Sequence, residues 1–382
     1  MALLPRHQTH PEPSSIEFPT SPAVPPGSLG QWARTGAILT VRRWIVVISG
    51  LVGASIAVLL ICIQFGAAPV EMSTVGKAVL RMFRTDESDA AGLGTAGVIM
   101  VHLRIPRILM GFIVGGSLAA VGVVLQALLR NPLADPYVLG VSSGAALGVS
   151  LSMLLGIATA FALLPALPLF GFIGGFVALV LIYRLAQSQG RLPVHSLLLA
   201  GVILNAILTA LIMFITSIMD PNRSAGLMAW LMGSLTVPSY PALLVFLLYM
   251  GAALLILMQK ARLLNVMTMG EDTARSLGME TESVKKQLFA LTALLTGVAV
   301  SFSGMIGFVG MVVPHAVRLL LGSDHRLLLP AALLVGGMFL VVADTIARTL
   351  LAPVEIPVGI VTALCGGPFF LYLLLCRKDR MN

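Results

Sequence analysis

The feature that most constrains this chain is a succession of apolar runs about twenty residues long, separated by short polar segments. An α-helix rises 1.5 Å per residue, so about twenty residues cross the ~30 Å hydrocarbon core of a bilayer. Only 10% of the 382 residues are charged, whereas soluble domains carry about 25%. The chain is therefore predicted to be an all-α, polytopic membrane protein.

Ten spans are predicted, and their number depends on how the segment 287–321 is divided. One helix of that length would measure about 52 Å, which is too long for one crossing. Gly304, Gly307 and Pro314 supply positions at which it can break. The segment 225–236 is too short to span and is predicted to be a re-entrant helix. The predicted spans are roughly 44–66, 107–129, 137–157, 161–183, 195–218, 240–259, 287–306, 307–321, 327–350 and 357–376.

Basic residues set the predicted orientation. With ten spans and the N-terminus inside, most of the 24 Lys and Arg residues fall in inner segments. Merging the two spans in 287–321 would put most of the later ones outside, so ten spans with both termini cytoplasmic are predicted. The net charge of +8 is attributed to this bias and not to nucleic-acid binding. Residues 1–40 are rich in proline and are predicted to be a disordered cytoplasmic tail before a transmembrane domain, 41–382.

Glycine and proline positions predict an inverted internal repeat. Displacing the chain by 182 residues superposes several of them, including Gly115 on Gly297, Gly122 on Gly304, Pro132 on Pro314 and Gly140 on Gly322. The two copies lie five predicted spans apart, so they would run in opposite orientations, as in many transporters. The alternative is a chance alignment of two Gly-rich membrane segments.

Few residues in the predicted spans could drive transport. Among the acidic residues only Asp344 falls in a span, and Arg348 lies four residues on, on the same helix face. This spacing favours a structural ion pair over a proton relay. The chain has no GxxxxGK[ST] phosphate loop, so it is not predicted to bind ATP by that device. The energy for uphill transport would come from another subunit.

Two sets of surface residues are candidates for contact with partners. The longest inner loop, 263–287, reads LLNVMTMGEDTARSLGMETESVKKQ, and a short helix in it would be capped by Asp272 or Thr273 and would stop at Gly278. Such a helix suits insertion into a partner's groove, although an ordinary connector is the alternative. The second set is an outer rim of three arginines, Arg104, Arg107 and Arg348. They could be snorkelling anchors, or they could bind acidic residues of a partner.

The segment 130–148, RNPLADPYVLGVSSGAALG, interrupts two apolar runs. Its Asn, Asp and Pro residues are typical of a turn between two helices at a membrane surface. The run of small residues from Ser142 to Ala146 is predicted to pack closely against a neighbouring helix.

Six motifs, in order from about residue 40 to the end, carry a resemblance to a known family: HLRIPR, RNPLADPYVLGVSSGAALG, MGEDTARSLGM, GFVGMVVPH, DHRLLLP and EIPVGIVTALCGGPFF. They resemble the permease subunits of ABC importers for vitamin B12, ferric siderophores and haem. The resemblance implies a homodimer of ten-helix subunits in a bacterial or archaeal cytoplasmic membrane, with the path on the two-fold axis. It also implies two cytoplasmic ATPase subunits that hold ATP and Mg, and an extracytoplasmic substrate-binding protein. The chain itself would be no enzyme and would bind no cofactor.

The resemblance also assigns roles to residues. In similar proteins the loop matching 263–280 is a coupling helix in the ATPase cleft, which implicates Gly270, Glu271, Asp272, Arg275 and Gly278. Arginines matching Arg104, Arg107 and Arg348 receive glutamates of the binding protein. The cytoplasmic gate is expected at Asn131 and Leu133 and at the start of the fifth span, Val194 and His195. Similar proteins often carry small hydroxyl residues at those last two positions.

The implied cargo is a metal chelate that passes by alternating access. A ferric siderophore is favoured as the broadest substrate class among similar proteins, and cobalamin and haem are the alternatives. No metal site is predicted at His315 or His325, because a tight site would hinder passage of a prebuilt complex. The alternative class is a gradient-driven secondary transporter, which would need several intramembrane acids.

Overall fold

A computed structural model describes residues 39–66, 94–157, 166–187, 192–235 and 239–378. In these residues there are fourteen α-helices, of which one is short and thirteen are numbered in chain order: α1 Val41–Cys62, α2 Ile105–Leu128, α3 Val141–Leu154, α4 Ala166–Ala186, α5 Val194–Ile218, α6 Pro221–Leu231, α7 Tyr240–Gln259, α8 Ala261–Thr268, α9 Glu271–Ser276, α10 Thr281–Ser303, α11 Val309–Leu321, α12 His325–Thr349 and α13 Val358–Lys378. A short helix, Gly94–Ile99, leads into α2, and a single 3₁₀ turn, Pro136–Leu139, precedes α3. The predicted tail, 1–40, lies outside the described residues except for its last two.

The predicted membrane architecture is confirmed. Each of the ten predicted spans coincides with an apolar helix in the described residues. Seven of these ten helices are long and apolar enough to cross a bilayer. The other three, α3, α11 and α13, have shorter apolar stretches. The division of 287–321 is also confirmed, because α10 ends at Ser303 and Gly304 takes a φ of +66°. That left-handed conformation favours glycine, which has no Cβ, and it turns the chain out of the helix.

The second span begins earlier than predicted. Its helical backbone runs from Gly94 through a π-helical stretch, Met100–Arg104, into α2 without a break. Arg104 can lie inside this helix because its guanidinium donates to the carbonyl oxygens of Ile63 and Gln64, both at 3.0 Å. Those hydrogen bonds replace water around a cation that is only 4% exposed.

Helix α2 forms the centre of the bundle, and glycines allow other helices to approach it closely. Nearly all of its side chains are buried. A Cβ on Gly122 would overlap the carbonyl oxygen of Gly310 in α11, and one on Gly115 would overlap that of Gly336 in α12. Close backbone contact through small residues is a common means of helix association in membranes, where apolar burial alone gives little driving force.

The predicted close packing of the small-residue run within 130–148, Ser142–Ala146, is also confirmed. A Cβ on Gly144 of α3 would overlap Ala178 in α4, and one on Gly148 would overlap the backbone of Phe170. The run also contacts α5, where the hydroxyl of Ser143 donates to the amide oxygen of Asn205. The turn and α3 are thereby fixed against both α4 and α5.

A short helix, α6, occupies the position of the predicted re-entrant segment but begins earlier, at Pro221. Asp220 caps it by accepting a hydrogen bond from the backbone N–H of Arg223 at 3.2 Å. The Arg223 guanidinium in turn donates to the carbonyl oxygens of Met153 and Leu154, at 3.2 and 3.1 Å. These contacts hold the start of α6 against the end of α3.

Hydrogen bonds also identify which loops share an end of the bundle. Arg43 and Trp44, at the start of α1, donate to the carbonyl oxygens of Leu321 and Arg326 at 3.2 and 3.0 Å. We call this the predicted inner end, because the positive-inside bias assigns it to the cytoplasm. The opposite, predicted outer end carries Arg104 and the end of α1.

The glycine pairs of the predicted repeat differ in their local structure. Gly140 and Gly322 both take positive φ angles, of 74° and 100°. Gly122, in contrast, lies inside α2, whereas Gly304 follows the end of α10. The first pair also differs in its place in the fold, since Gly140 precedes α3 with a ψ of −4° whereas Gly322 follows the end of α11 with a ψ of −177°.

Candidate functional site

A groove opens on one face of the bundle. It consists of two adjoining cavities of about 520 and 340 Å³ that share Tyr137, Gly307 and Phe308. The larger cavity is bounded by the end of α6 and the first half of α13. The smaller one extends to Leu133 and Asp135 in the turn before α3. The lining is almost wholly apolar, so the groove suits a large ligand with apolar surface.

Phe308 lies at the middle of this groove in an unusual conformation. Its φ of 69° is left-handed, which is a strained conformation for a bulky side chain. The residue caps α11, and its ring lies directly against Gly366 of α13. Strained residues of this kind concentrate at functional sites. Sequence reasoning missed Phe308, since nothing in its residue type predicts a left-handed conformation.

The structure places two of the four predicted gate residues in the turn at the groove's predicted inner side. The Asn131 side-chain oxygen accepts the N–H of Leu133 at 2.9 Å, which fixes a local turn. Leu133 itself is 49% exposed and lines the smaller cavity. The other two, Val194 and His195, form the first turn of α5 and are not among the residues lining the described groove.

Asp135, predicted from the sequence only as a turn residue, is a carboxylate that lines the groove. It is 8% exposed, and its side chain accepts the N–H of Tyr137 at 2.8 Å, which caps the 3₁₀ turn. Burial raises the pKa of Asp135 to about 6, and the hydrogen bond from Tyr137 partly opposes this rise. Burial therefore favours the protonated form of this groove-lining acid.

The predicted short helix in the 263–287 loop exists as α9, but the prediction of its N-cap was wrong. Gly270, with a φ of +113°, is the N-cap, and the helix begins at Glu271. Asp272 therefore lies in the first turn, where its charge is favourable near the helix N-terminus. Neither Asp272 nor Thr273 caps the helix, because the first helical hydrogen bond already forms before them, from the N–H of Ala274 to the carbonyl oxygen of Gly270 at 2.9 Å.

The predicted stop of this helix is confirmed. Gly278 takes a φ of +82° and donates its N–H to the carbonyl oxygen of Arg275 at 2.9 Å, while the N–H of Met279 reaches that of Ala274 at 3.0 Å. This pair of hydrogen bonds is a Schellman motif, in which glycine follows the helix end. The short helix is thus closed at both ends by glycines with positive φ angles.

An ion-pair cluster joins α9 to the start of α10. Glu271 pairs with Lys285 at 3.2 Å and with Arg275 at 3.4 Å, and Lys285 also pairs with Glu282 at 2.7 Å. Lys285 is 4% exposed, whereas Asp272 is fully exposed. Sequence reasoning missed Glu282 and Lys285, although their i,i+3 spacing at the polar start of an apolar helix could have indicated a pair.

The three arginines of the predicted outer rim lie together but are engaged within the chain. Arg107 pairs with Asp344 and with Glu355, both at 2.9 Å. Arg348, 5% exposed, lies 3.6 Å from Asp344 and donates to a backbone carbonyl at 3.1 Å. The predicted Asp344–Arg348 pair is therefore present, but the closest partner of Asp344 is Arg107, on another helix.

A second polar cluster lies at the predicted inner end, where α8 meets the start of α12. Asp324 caps α12 and accepts hydrogen bonds from Asn265 at 2.9 Å and from Arg326. Asn265 also accepts the backbone N–H of His325 at 2.9 Å, and its side-chain oxygen lies 2.7 Å from His325 Nδ1. In the described residues no three His, Cys, Asp or Glu side chains group as metal ligands.

The Asp324 cluster predicts a pH-dependent contribution to stability. Hydrogen bonds from Arg326 and Asn265 hold the pKa of Asp324 well below its usual range. An acid with a depressed pKa stabilises the fold above its unfolded pKa of about 4, and this contribution is lost as pH falls through the folded value. We expect Asp324→Ala to lower the melting temperature at pH 7, in line with a lost cap worth about 1 kcal/mol. The difference from wild type should shrink by pH 3, and a constant difference across this range would contradict the assignment.

The helices and the groove define a multi-pass membrane protein with a large, mostly apolar surface cleft. The chain belongs to the FecCD transport family, whose match covers residues 43–376. It is 43% identical over 286 residues to the cobalamin import system permease protein BtuC of Halobacterium salinarum, covering 75% of this chain and 76% of that protein. It is 39% identical over 331 residues to the hemin transport system permease protein HmuU of Yersinia pestis, covering 85% and 95%.

A solved structure supports the same class. The fold is similar to an inward-facing conformation of a protein described as a metal-chelate type ABC transporter, with a TM-score of 0.72 and 30% sequence identity. The likeness covers 87% of this chain and 99% of that one. The chain is therefore a membrane permease, and its similar proteins are permease components of transport systems, not enzymes.

Proposed function

We propose that this chain is the membrane-spanning subunit of an ATP-driven, binding-protein-dependent importer that moves a metal chelate across the cytoplasmic membrane. Family membership and the similarity to cobalamin and hemin permeases support this class. The observation that carries the proposal is α9, a short, closed helix at the predicted inner end. Its charged residue Asp272 is fully exposed, and the apolar residues that flank it, Met269 and Leu277, are 64% and 65% exposed.

Exposed apolar side chains beside an exposed charge suit insertion of α9 into a groove of a partner protein. The partner in our proposal is an ATPase subunit that holds ATP and Mg, with one such subunit for each permease. Gly270 and Gly278 would set the two ends of the inserted helix. Asp272 and Arg275 would contact the partner. The Glu271 side chain, and the contacts that Arg275 makes within the chain, would hold the helix on the permease.

The groove is the proposed translocation path. It is open along one side, and Leu364 of α13 beside it is 69% exposed. A second copy of the chain, packed on this face, would close the groove into a central path in a homodimer. Alternating access would then open either the larger cavity or the turn at Asn131 and Leu133. Val194 and His195 would complete the cytoplasmic gate when the two α5 helices approach.

Docking of the extracytoplasmic binding protein is proposed at Arg104, Arg107 and Arg348. Among the acids near them in the described residues, Glu355 is 54% exposed and Asp344 is buried. A glutamate of the binding protein could therefore exchange with Glu355 on Arg107 without exposing the buried pair. Such charge complementarity steers association and fixes orientation.

The cargo proposed first is a ferric siderophore, with haem and cobalamin as the alternatives. The two relatives named above are permeases for cobalamin and hemin at similar identity, so identity does not rank these chelates. The groove's apolar lining and volume suit any of them. Uptake must therefore be measured with all three.

The test is ATP-driven uptake into liposomes that contain the permease with its ATPase, with the binding protein supplied outside. A ferric hydroxamate, haem and cyanocobalamin are offered in parallel. Asp272→Lys is expected to lower uptake at least tenfold, on the order of the cost of placing like charges together at an interface. Asp272 is the sharper choice because Glu271 also pairs with Lys285.

Glu280→Lys is the matched control, since it reverses an exposed charge in the same loop outside α9. It should retain uptake close to wild type. Uptake that proceeds without ATP would contradict the importer proposal and would favour a gradient-driven carrier.

A further inference from the structure

One buried cation joins three elements at the predicted inner end. The ammonium of Lys285, in the second turn of α10, lies 2.7 Å from a Glu282 carboxylate oxygen and 3.2 Å from each oxygen of Glu271. It also donates to the carbonyl oxygen of Leu192 at 3.1 Å. An ammonium has three N–H donors, and three groups surround this one, so its hydrogen-bonding capacity is used in full.

Leu192 is held from both sides of its backbone. Its carbonyl accepts from Lys285, and its N–H donates to the second carboxylate oxygen of Glu282 at 2.9 Å. The Leu192 side chain is buried, and Pro193 follows it as the N-cap of α5. The Lys285–Glu282 pair therefore fixes the residue that leads directly into the first turn of α5, where Val194 and His195 lie.

Glu271 connects the same lysine to α9, of which it is the first residue. A second set of contacts comes from Arg275, which donates to the Thr281 hydroxyl at 3.1 Å and lies 3.6 Å from Glu282. Movement of α9 would therefore act on Lys285 directly through Glu271 and indirectly through Arg275 and Glu282. Separating the lysine from its carboxylates would leave a buried charge unpaired, which is strongly unfavourable.

We propose that Lys285 is a positioning residue that transmits movement of α9 to the start of α5, and so links ATPase engagement to the cytoplasmic gate. This inference rests on the proposed function of α9 and of Val194 and His195. Moving α9 carries Glu271, and Lys285 follows the Glu271 carboxylate. Leu192 follows in turn, because its carbonyl oxygen accepts from Lys285 and its N–H donates to Glu282, which pairs with the same lysine. This linkage does not require any single side chain to reach from the ATPase to the gate.

The test separates ATP hydrolysis from transport in the reconstituted complex. Lys285→Met keeps the length of the side chain but removes its charge and donors. We expect it to assemble with the ATPase and to hydrolyse ATP, while ATP consumed per chelate imported rises about tenfold, within the usual range of coupling between sites. Lys285→Arg restores a cation with donors and should recover most of the coupling. Lys286→Met removes the same charge one residue on and should behave as wild type.

A second readout needs no cargo. Spin labels at exposed positions 277, beyond α9, and 199, in α5, report the distance between these elements in each variant. We expect one narrow distance distribution in wild type and in Lys286→Met, and a broad one in Lys285→Met. Equal coupling ratios and equal distributions in Lys285→Met and wild type would overturn the inference.

If Lys285→Met does not assemble with the ATPase, the inference is tested with Glu282→Gln. This substitution removes the carboxylate that holds both Lys285 and Leu192, and position 282 lies outside the proposed ATPase contact. It is expected to raise ATP consumed per chelate in the same direction, and an unchanged ratio would overturn the inference. Failure of the proposed function is distinguishable, because wild type itself would then show no ATP-dependent uptake.

Discussion

Replacement of Gly122 by alanine is expected to prevent recovery of most of the permease in folded form. The added Cβ would overlap the carbonyl oxygen, carbonyl carbon and Cα of Gly310, and backbone atoms cannot turn aside as a side chain can. The two helices, α2 and α11, would have to separate, although α2 is buried along nearly its whole length. Overpacking a tight core costs about 1–3 kcal/mol, and the backbone clash should bring this substitution to the upper limit or beyond. Size-exclusion profiles and melting temperatures in detergent measure the effect.

Gly251→Ala is the matched control. Gly251 lies inside α7, and beyond the local backbone of α7 itself no atom lies within 4 Å of the position that an added methyl group would take. The same substitution therefore meets open space. Alanine favours helix by about 1 kcal/mol over glycine, so this variant should melt at or above the wild-type temperature. Equal melting temperatures for the two variants would show that α2 and α11 do not touch at Gly122.

The helices could be predicted from the sequence because their cause is local. A run of apolar residues of the right length predicts a span, and Gly304 between two such runs predicts where the chain turns. The end of α9 at Gly278 is predictable for the same reason, since glycine favours the left-handed conformation that ends a helix. Its start is not, because the helix begins after Gly270, which has no capping side chain, while the two better cap residues, Asp272 and Thr273, lie inside it.

The partners of the charged residues could not be predicted from the sequence. Spacing pairs Asp344 with Arg348, four residues away, but the closest contact of Asp344 is Arg107, which precedes it by 237 residues. Lys285 likewise bonds Leu192, 93 residues before it. Which helices lie side by side decides these pairs, and helices of similar apolar composition give no sign of their neighbours. The early start of the second span could not be predicted from the sequence for a related reason. Arg104 indicates a polar segment unless the carbonyl groups that accept its hydrogen bonds are known.

The substitution Asp344→Asn is expected to destabilise the permease by about 3–5 kcal/mol, the usual cost of removing one partner from a buried ion pair. Asp344 is 2% exposed and lies between two cations, Arg107 at 2.9 Å and Arg348 at 3.6 Å. Asparagine keeps the shape and an acceptor oxygen but removes the charge. Arg348, itself 5% exposed, would then have no carboxylate within ion-pair distance in the described residues. The melting temperature in detergent should fall steeply, and less protein should reach the membrane.

Glu355→Gln is the comparison that isolates burial, because Glu355 pairs with the same arginine at the same distance but is 54% exposed. Exposed pairs contribute about 0–1 kcal/mol, so this variant should melt close to wild type. A loss in Asp344→Asn as small as that in Glu355→Gln would show that burial adds nothing to the ion pairs of Asp344 and that other groups hold the arginines. A large loss in Asp344→Asn alone would show that this carboxylate neutralises two arginines of the proposed docking surface. Those arginines would then bind the binding protein while still paired with Asp344. Glu355 would be the acid that a glutamate of the binding protein replaces.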